Sequence, residues 1–260
     1  MTDSNSDPGS GTRTIKSVET SITILESLME FESPKVSELA DATDNSRANV
    51  YKHLQTLQKH GFVMREENKY RLSLRYLDFG GFVRDQIDGT RIIKPRMVEA
   101  AEKTGEIVQY MVREGGHTVI IYRESGHQGV LTRARIGYRY PIHQVASGKT
   151  MLASMPKSEV EEIIDQYGLF AATENTITSK ESLYEELEEI RSKGYAINNQ
   201  ESTKGLYSIA VPVSTPDQDV IGACAVSGPV HRLRKQKKTK EVIETMRSLV
   251  NEIELNLTHS

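Results

Sequence analysis

The sequence holds a single cysteine, no tryptophan, five phenylalanines and eight prolines among its 260 residues. A lone thiol, Cys224, cannot close an internal disulfide, so a small disulfide-stapled fold is excluded and a reducing compartment suits the chain. No run approaches the ~18 uninterrupted apolar residues of a membrane span, and the opening MTDSNSDPGSGTRT has no apolar stretch from which to build a signal peptide. A large excess of one charge is also missing. The 33 Lys and Arg stand against 36 Asp and Glu, a formal −3, which argues against a chain that coats nucleic acid over its whole surface. What is present, 37% hydrophobic residues, is enough for one large core or two small ones. A soluble, cytoplasmic protein without a membrane partner is expected.

Residues 1–14 are Ser, Asp, Gly, Thr and Pro with little to bury and read as a disordered tail. From Ile15, the residues Ile15, Val18, Ile22, Leu25 and Met29 recur at the three- and four-residue spacings of one helical face, with Ser17 as N-cap. This helix stops before Ser33-Pro34. A second helix runs from Val36 to about Thr43, and a third from Ser46 to His60, with Val50, Leu54 and Leu57 inward and Gly61 as its C-cap. Joined by Thr43-Asp44-Asn45, these two form a helix-turn-helix. The period then changes: Phe62-Val63-Met64 and Tyr70-Arg71-Leu72 read as strands around a turn at Glu66 to Lys69, a hairpin wing. Residues 15–75 thus form a winged helix-turn-helix domain, and Tyr76 to about Ile87, containing Gly80-Gly81, forms a linker helix within residues 76–90. Residues 91–260 alternate antiparallel strand pairs with helices, including a strand from Gly129 to Ala134, and predict an α+β domain around one sheet.

Charge separates sharply within the first domain. Residues 15–44 carry two basic groups against seven acidic ones, and residues 45–75 carry seven basic against two acidic, a swing from −5 to +5. The second half is therefore the phosphate-facing side. On the third helix, Val50, Leu54 and Leu57 take the core, which leaves Ser46, Arg47, Asn49, Lys52 and His53 projecting outward near the end that enters a major groove. Arg offers a fork to guanine and Asn a donor–acceptor pair to adenine, so Arg47 and Asn49 are the base readers. Ser46, Ala48, Tyr51, Lys52, Gln55 and Thr56 complete the contact face, and Lys69 and Arg71 reach the backbone from the wing.

The second domain presents several motifs that fail as chemistry. Gly148-Lys149-Thr150 has the end of a phosphate-binding loop, but His143 stands where its first glycine belongs. The histidines His117, His127, His143 and His231, with Cys224, have no short metal-ligand spacing, so no metal and no cofactor is indicated. Ser147 with His143 lacks the sharp-turn context of a nucleophile, and catalysis is not expected. The run Arg232, Arg234, Lys235, Lys237, Lys238, Lys240 reads as a solvated helix entrance. What remains is the loop-to-helix junction Val145-Ala146-Ser147-Gly148, where small residues and free N–H groups suit an anion such as a carboxylate.

The stretch from Val18 to Gly80 is similar to the winged helix-turn-helix of the isocitrate-lyase-regulator (IclR) family. The resemblance continues in order through Pro141-Ile142-His143, Ala146-Ser147-Gly148-Lys149, Met151-Leu152-Ala153, Thr176-Ile177-Thr178, Arg191 to Ala196, Glu201, Gly205, Ala210-Val211-Pro212-Val213 and Val226-Ser227-Gly228-Pro229. It covers about residues 15–257. One departure is Lys52, where the family usually has Arg, so a phosphate contact survives but not a bidentate one. The resemblance implies a C-terminal effector-binding domain of the GAF/PAS-like type, with Ala146, Ser147 and Gly148 on one wall of its pocket and Asn198, Ser208, Ala225 and Ser227 as further contacts. It implies a transcription regulator of a catabolic operon, repressor or activator, that answers to a small organic or sugar acid. It also implies a homodimer through the first and linker helices, or a tetramer through effector domains, on an inverted-repeat operator in double-stranded DNA. Two other readings stay open at this point: a metabolite-binding enzyme with an appended DNA-binding head, and a DNA-architectural protein without ligand.

Overall fold

The computed structural model describes residues 13–130, 134–215, 217 and 219–258, so most of the expected tail lies outside the described residues. The chain divides into two compact units between Ile87 and Asp88.

In the first unit, α1 (Lys16–Glu30), α2 (Val36–Ala42) and α3 (Arg47–Lys59) precede the strands β1 (Val63–Glu66) and β2 (Lys69–Leu72) and the helix α4 (Arg75–Asp85). Ile24, Leu28, Leu39, Ala40, Val50, Leu54, Val63 and Tyr70 form its core. Asp44, at φ 50, turns α2 into α3 through the left-handed region that Asp tolerates. Ser46 caps α3, its hydroxyl accepting from the Asn49 N–H at 3.2 Å. The wing is a two-residue hairpin, Glu66 pairing Lys69 and Glu67 sitting at φ 55, and is tighter than the expected turn.

Two sequence readings of α1 are corrected. Its N-cap is Ile15, not Ser17, which lies inside the first turn, and no side chain caps this solvent-facing end. The stripe Ile15, Val18, Ile22 and Met29 is exposed, 49–68% in each case, while Ile24 and Leu28 face the core. Helical spacing locates an apolar stripe but not what covers it.

The second unit begins with α5 (Thr90–Thr104) and contains β3 (Ile107–Glu114), β4 (His117–Ser125), β5 (Arg139–Pro141), a 3-10 turn at Ile142–Gln144, α6 (Ala146–Ala153), α7 (Lys157–Tyr167), α8 (Lys180–Lys193), β6 (Ala196–Asn199), β7 (Leu206–Ser214), β8 (Val220–Pro229), α9 (Val230–Leu233) and α10 (Gln236–Thr258). The six strands form one antiparallel sheet in the order β5-β4-β3-β8-β7-β6. One face packs against α5 and α10, and α6 lies across the other, so the unit has three layers. Under α6 and its neighbours α7 and α8, Ile142, Ala146, Leu152, Val160, Leu183, Leu187, Ala196, Ala210 and Ala225 form a continuous core. The expected strand at Gly129 to Ala134 is not found at Gly129, Val130 or Ala134, and residues 131–133 lie outside the described residues. Instead, the short β5 pairs with β4.

Glu106, fully buried at the head of β3, is closed by a two-pronged ion pair from Arg232, at 2.5 and 2.7 Å. Gly228 makes room for it: a Cβ there would lie 2.5 Å from the carboxylate. This corrects the reading of Arg232 as part of a solvated basic run. A fully buried carboxylate demands a partner, and Arg232 is the one within reach.

Candidate functional site

On α3, Arg47, Ala48, Tyr51, Lys52, Gln55 and Thr56 share an exposed face with Ser46, and Asn49 is half-buried at its edge. The face is already partly organised. Asn49 Nδ2 donates to Asn45 Oδ1 at 3.1 Å, Gln55 Nε2 to the Tyr51 hydroxyl at 3.0 Å, and Thr56 Oγ1 to the Lys52 carbonyl at 3.0 Å. Asn49 keeps its side-chain oxygen and its second amide proton for another partner. His53 departs from the outward placement expected of it: its Nδ1 lies 2.8 Å from the Ser21 hydroxyl on α1.

The wing splits its two expected phosphate contacts. Arg71 is held by Glu66 at 2.6 Å, whereas Lys69 is exposed and has no ion pair among the described residues. Arg75 is withdrawn from the basic side altogether. Its guanidinium stacks 4.7 Å from the Phe62 ring centre and 5.6 Å from that of Phe79, and it donates to the His60 carbonyl that ends α3.

In the second unit, cross-strand register gathers the expected ligand residues. Asn198 pairs with Ser208 and Ser208 with Ser227, while Ala196, Ala210 and Ala225 form the adjacent row on the same face. Above them, Ala146, Ser147 and Gly148 are all buried at the start of α6. Gly148 is required there, since a Cβ would stand 1.8 Å from the Ile142 carbonyl oxygen. The sequence reading missed Gln109, a buried polar residue within the apolar strand β3, whose Oε1 accepts from the Ser227 hydroxyl at 3.3 Å. Its signal was an amide in the middle of the apolar run Ile107 to Val112.

A second omission is Lys149. It is fully buried, with Nζ 2.6 Å from Glu186 and 2.9 Å from Glu201. Glu201 in turn accepts from the Asn199 N–H at 3.1 Å and donates its own N–H to Asn198 Oδ1 at 3.0 Å. Asn198 Nδ2 donates to the Gln144 carbonyl at 2.5 Å and to Ser202 at 3.3 Å, so this amide is committed to holding the chain in place. Burial pushes the Glu201 carboxyl up and Lys149 pulls it back down. Gln144 Nε2 and His143 Nε2 both reach the Phe170 carbonyl, at 2.8 and 3.0 Å, and burial holds the His143 imidazole below its ordinary value. Facing Phe170, His143 makes no hydrogen bond to Ser147 among the described residues, and no nucleophile–base pair is assembled there. Among the described residues, no group of three or more His, Cys, Asp or Glu could hold a metal, and no helix is long and apolar enough to cross a membrane.

A capped recognition helix, a wing and a separate α+β unit with a buried polar sheet face define a DNA-binding protein of the winged helix-turn-helix class with a second domain of its own. The pattern of the bacterial transcriptional regulator IclR C-terminal domain matches residues 83–255, and that of the IclR helix-turn-helix domain matches residues 17–67. The chain belongs to the IclR family and is a DNA-binding transcription regulator. It is 30% identical over 216 residues to the HTH-type transcriptional regulator XynR of Escherichia coli, covering 82% of this chain and 86% of that one. The crystal structure of the Thermotoga maritima IclR superposes with a TM-score of 0.78 at 28% identity, over 94% of this chain and 100% of that one. An IclR homolog from Microbacterium hydrocarbonoxydans, solved with 4-hydroxybenzoate, has the same fold, with a TM-score of 0.74 at 22% identity over 94% and 100% of the two chains.

Proposed function

We propose that this regulator is sequence-specific and controls a catabolic operon from the cytoplasm in response to a small organic or sugar acid, which it binds without turnover. The observation that carries the reading is the polar sheet face beneath α6, where Ser147, Ser208, Ser227 and Gln109 are buried in a position that a core would fill with apolar groups. In this reading residues 15–75 bind DNA, residues 76–90 link and residues 91–260 hold the effector. No cofactor other than the effector is invoked. Arg47 and Asn49 read bases, Ser46, Ala48, Tyr51, Lys52, Gln55, Thr56, Lys69 and Arg71 line the backbone, and Ala146, Ser147, Gly148, Ser208, Ala225 and Ser227 line the pocket, with Asn198 shaping its floor. The exposed apolar residues Val18 and Ile22 of α1 and Leu77 and Phe82 of α4 support a homodimer on an inverted repeat. The microbial homolog bound to 4-hydroxybenzoate supports an acid ligand. An effector acts here only by binding one arrangement of the dimer better than another. The test is binding to the DNA upstream of the protein's own gene at fixed salt, by fluorescence anisotropy, with and without organic and sugar acids. A compound that shifts affinity for this DNA but not for random DNA upholds the reading, and specific binding that no acid alters removes the effector half.

A further inference from the structure

The sheet register carries the ligand face two strands further than the residues named so far. The row Ala196–Ala210–Ala225 continues straight into Gln109 on β3 and Arg123 on β4. The adjoining row is Asn198–Ser208–Ser227–Ile107–Ser125. Where α6 presses closest the first row is alanine, and at β3 it turns polar. Four side chains therefore meet in one quadrant of this face: Ser208 and Ser227 in one row, Gln109 and Arg123 in the next. Gln109 and Ser227 are joined across the rows at 3.3 Å, and among the described residues Ser208 has no side-chain hydrogen bond of its own.

The charges in this quadrant have one sign. Neither row holds a carboxylate, because strand alternation puts Glu106 and Glu124 on the opposite face. The buried acids nearby are already matched, Glu106 by Arg232 and Glu201 by Lys149. A partly buried guanidinium beside an amide and two hydroxyls is a donor-rich surface that complements a carboxylate bearing hydroxyl or keto oxygens. Resting on the acid-effector reading above, we propose that Arg123 is the residue that selects an anionic effector, engaging its carboxylate from β4 while Gln109, Ser208 and Ser227 hold the neighbouring oxygens.

The experiment is calorimetric titration of the full-length protein with a panel of aliphatic, aromatic and sugar carboxylates, led by 4-hydroxybenzoate, D-gluconate and succinate. Each acid is paired with its neutral counterpart: 4-hydroxybenzamide, D-glucitol and succinamide. At least one acid should bind at least tenfold more tightly than its neutral partner. Arg123→Gln should weaken that acid at least tenfold and erase the difference, and Arg123→Lys should retain part of it. Thermal denaturation checks that the variants fold. If Arg123→Gln does not fold, Gln109→Leu replaces it and must weaken the acid at least threefold. An acid that binds wild type and the tested variant within twofold overturns the Arg123 assignment while leaving the effector reading intact, as does a neutral partner that binds wild type as tightly as the acid. Failure of every acid in the panel to bind wild type overturns the effector reading and this assignment together.

Discussion

Lys149 of α6 reaches Glu201, in the turn between β6 and β7, at 2.9 Å in an interior where the lysine has no solvent exposure. With Glu186 it forms a buried triad whose strength lies in completeness, since removing one member strands a charge that burial penalises. Lys149→Met should cost about 3–5 kcal/mol in urea denaturation. The double variant Lys149→Met with Glu201→Leu should recover part of that loss, because no unmatched carboxylate then remains at Glu201. Equal losses in the single and double variants would show that the triad is not the stabilising unit.

Gly148 offers a sharper steric test. Alanine would place its Cβ 1.8 Å from the Ile142 backbone oxygen, and no flexible side chain is there to move aside. The 3-10 turn and α6 must separate, so Gly148→Ala should destabilise by at least about 2–3 kcal/mol. Gly137, whose Cβ would meet nothing within 4 Å although its φ is 83, should lose only the smaller cost of a strained backbone. Equal destabilisation of the two would contradict the packing of α6.

Acid sensitivity follows from His143 and His117, both held below their ordinary value chiefly by burial. A depressed folded pKa means that the unfolded chain takes up the proton first. These groups therefore cost nothing above the unfolded value of ~6.5 and remove stability as the pH falls through and below it. His143→Gln keeps a donor for the Phe170 carbonyl without a titrating ring. Melting temperature measured between pH 8 and pH 5 should decline less steeply in this variant than in wild type, and an identical decline would shift the burden to other groups.

On the wing, the Arg71–Glu66 pair neutralises a contact that Lys69 makes with full charge. Lys69→Ala should reduce the slope of log affinity for DNA against log salt by about 0.9, one phosphate contact, and Arg71→Ala by less. Glu66→Ala, which releases Arg71, should tighten binding at low salt. Arg47→Ala should instead lose about 1–3 kcal/mol on the operator beyond its loss on random DNA.

The helices were largely legible because each repeats its apolar residues locally: α6, α7 and α8 begin and end where their spacing, caps and glycines place them. The sheet order and register were not, because pairings such as Gln109 with Ala225 join residues far apart in sequence. That non-local step separated the three polar pocket residues found by resemblance, Asn198, Ser208 and Ser227, from Gln109 and Arg123. The same limit explains the charged residues that were misplaced. Arg75 and Arg232 look alike in a charge count, yet one is stacked on two rings and the other is locked to Glu106. Which basic group faces solvent depends on partners that only the folded chain supplies.

Arg75 also fixes where motion can enter the reading head. Because it begins α4, stacks on Phe62 and Phe79 and grips the carbonyl that closes α3, a twist applied to α4 turns the recognition helix with it, as a crank turns its shaft. Compliance must then reside beyond Asp85, in the four residues before α5, where Gly89 at φ 76 supplies the joint. Stiffening those four residues would silence the conversation between ligand and DNA while leaving each half able to bind.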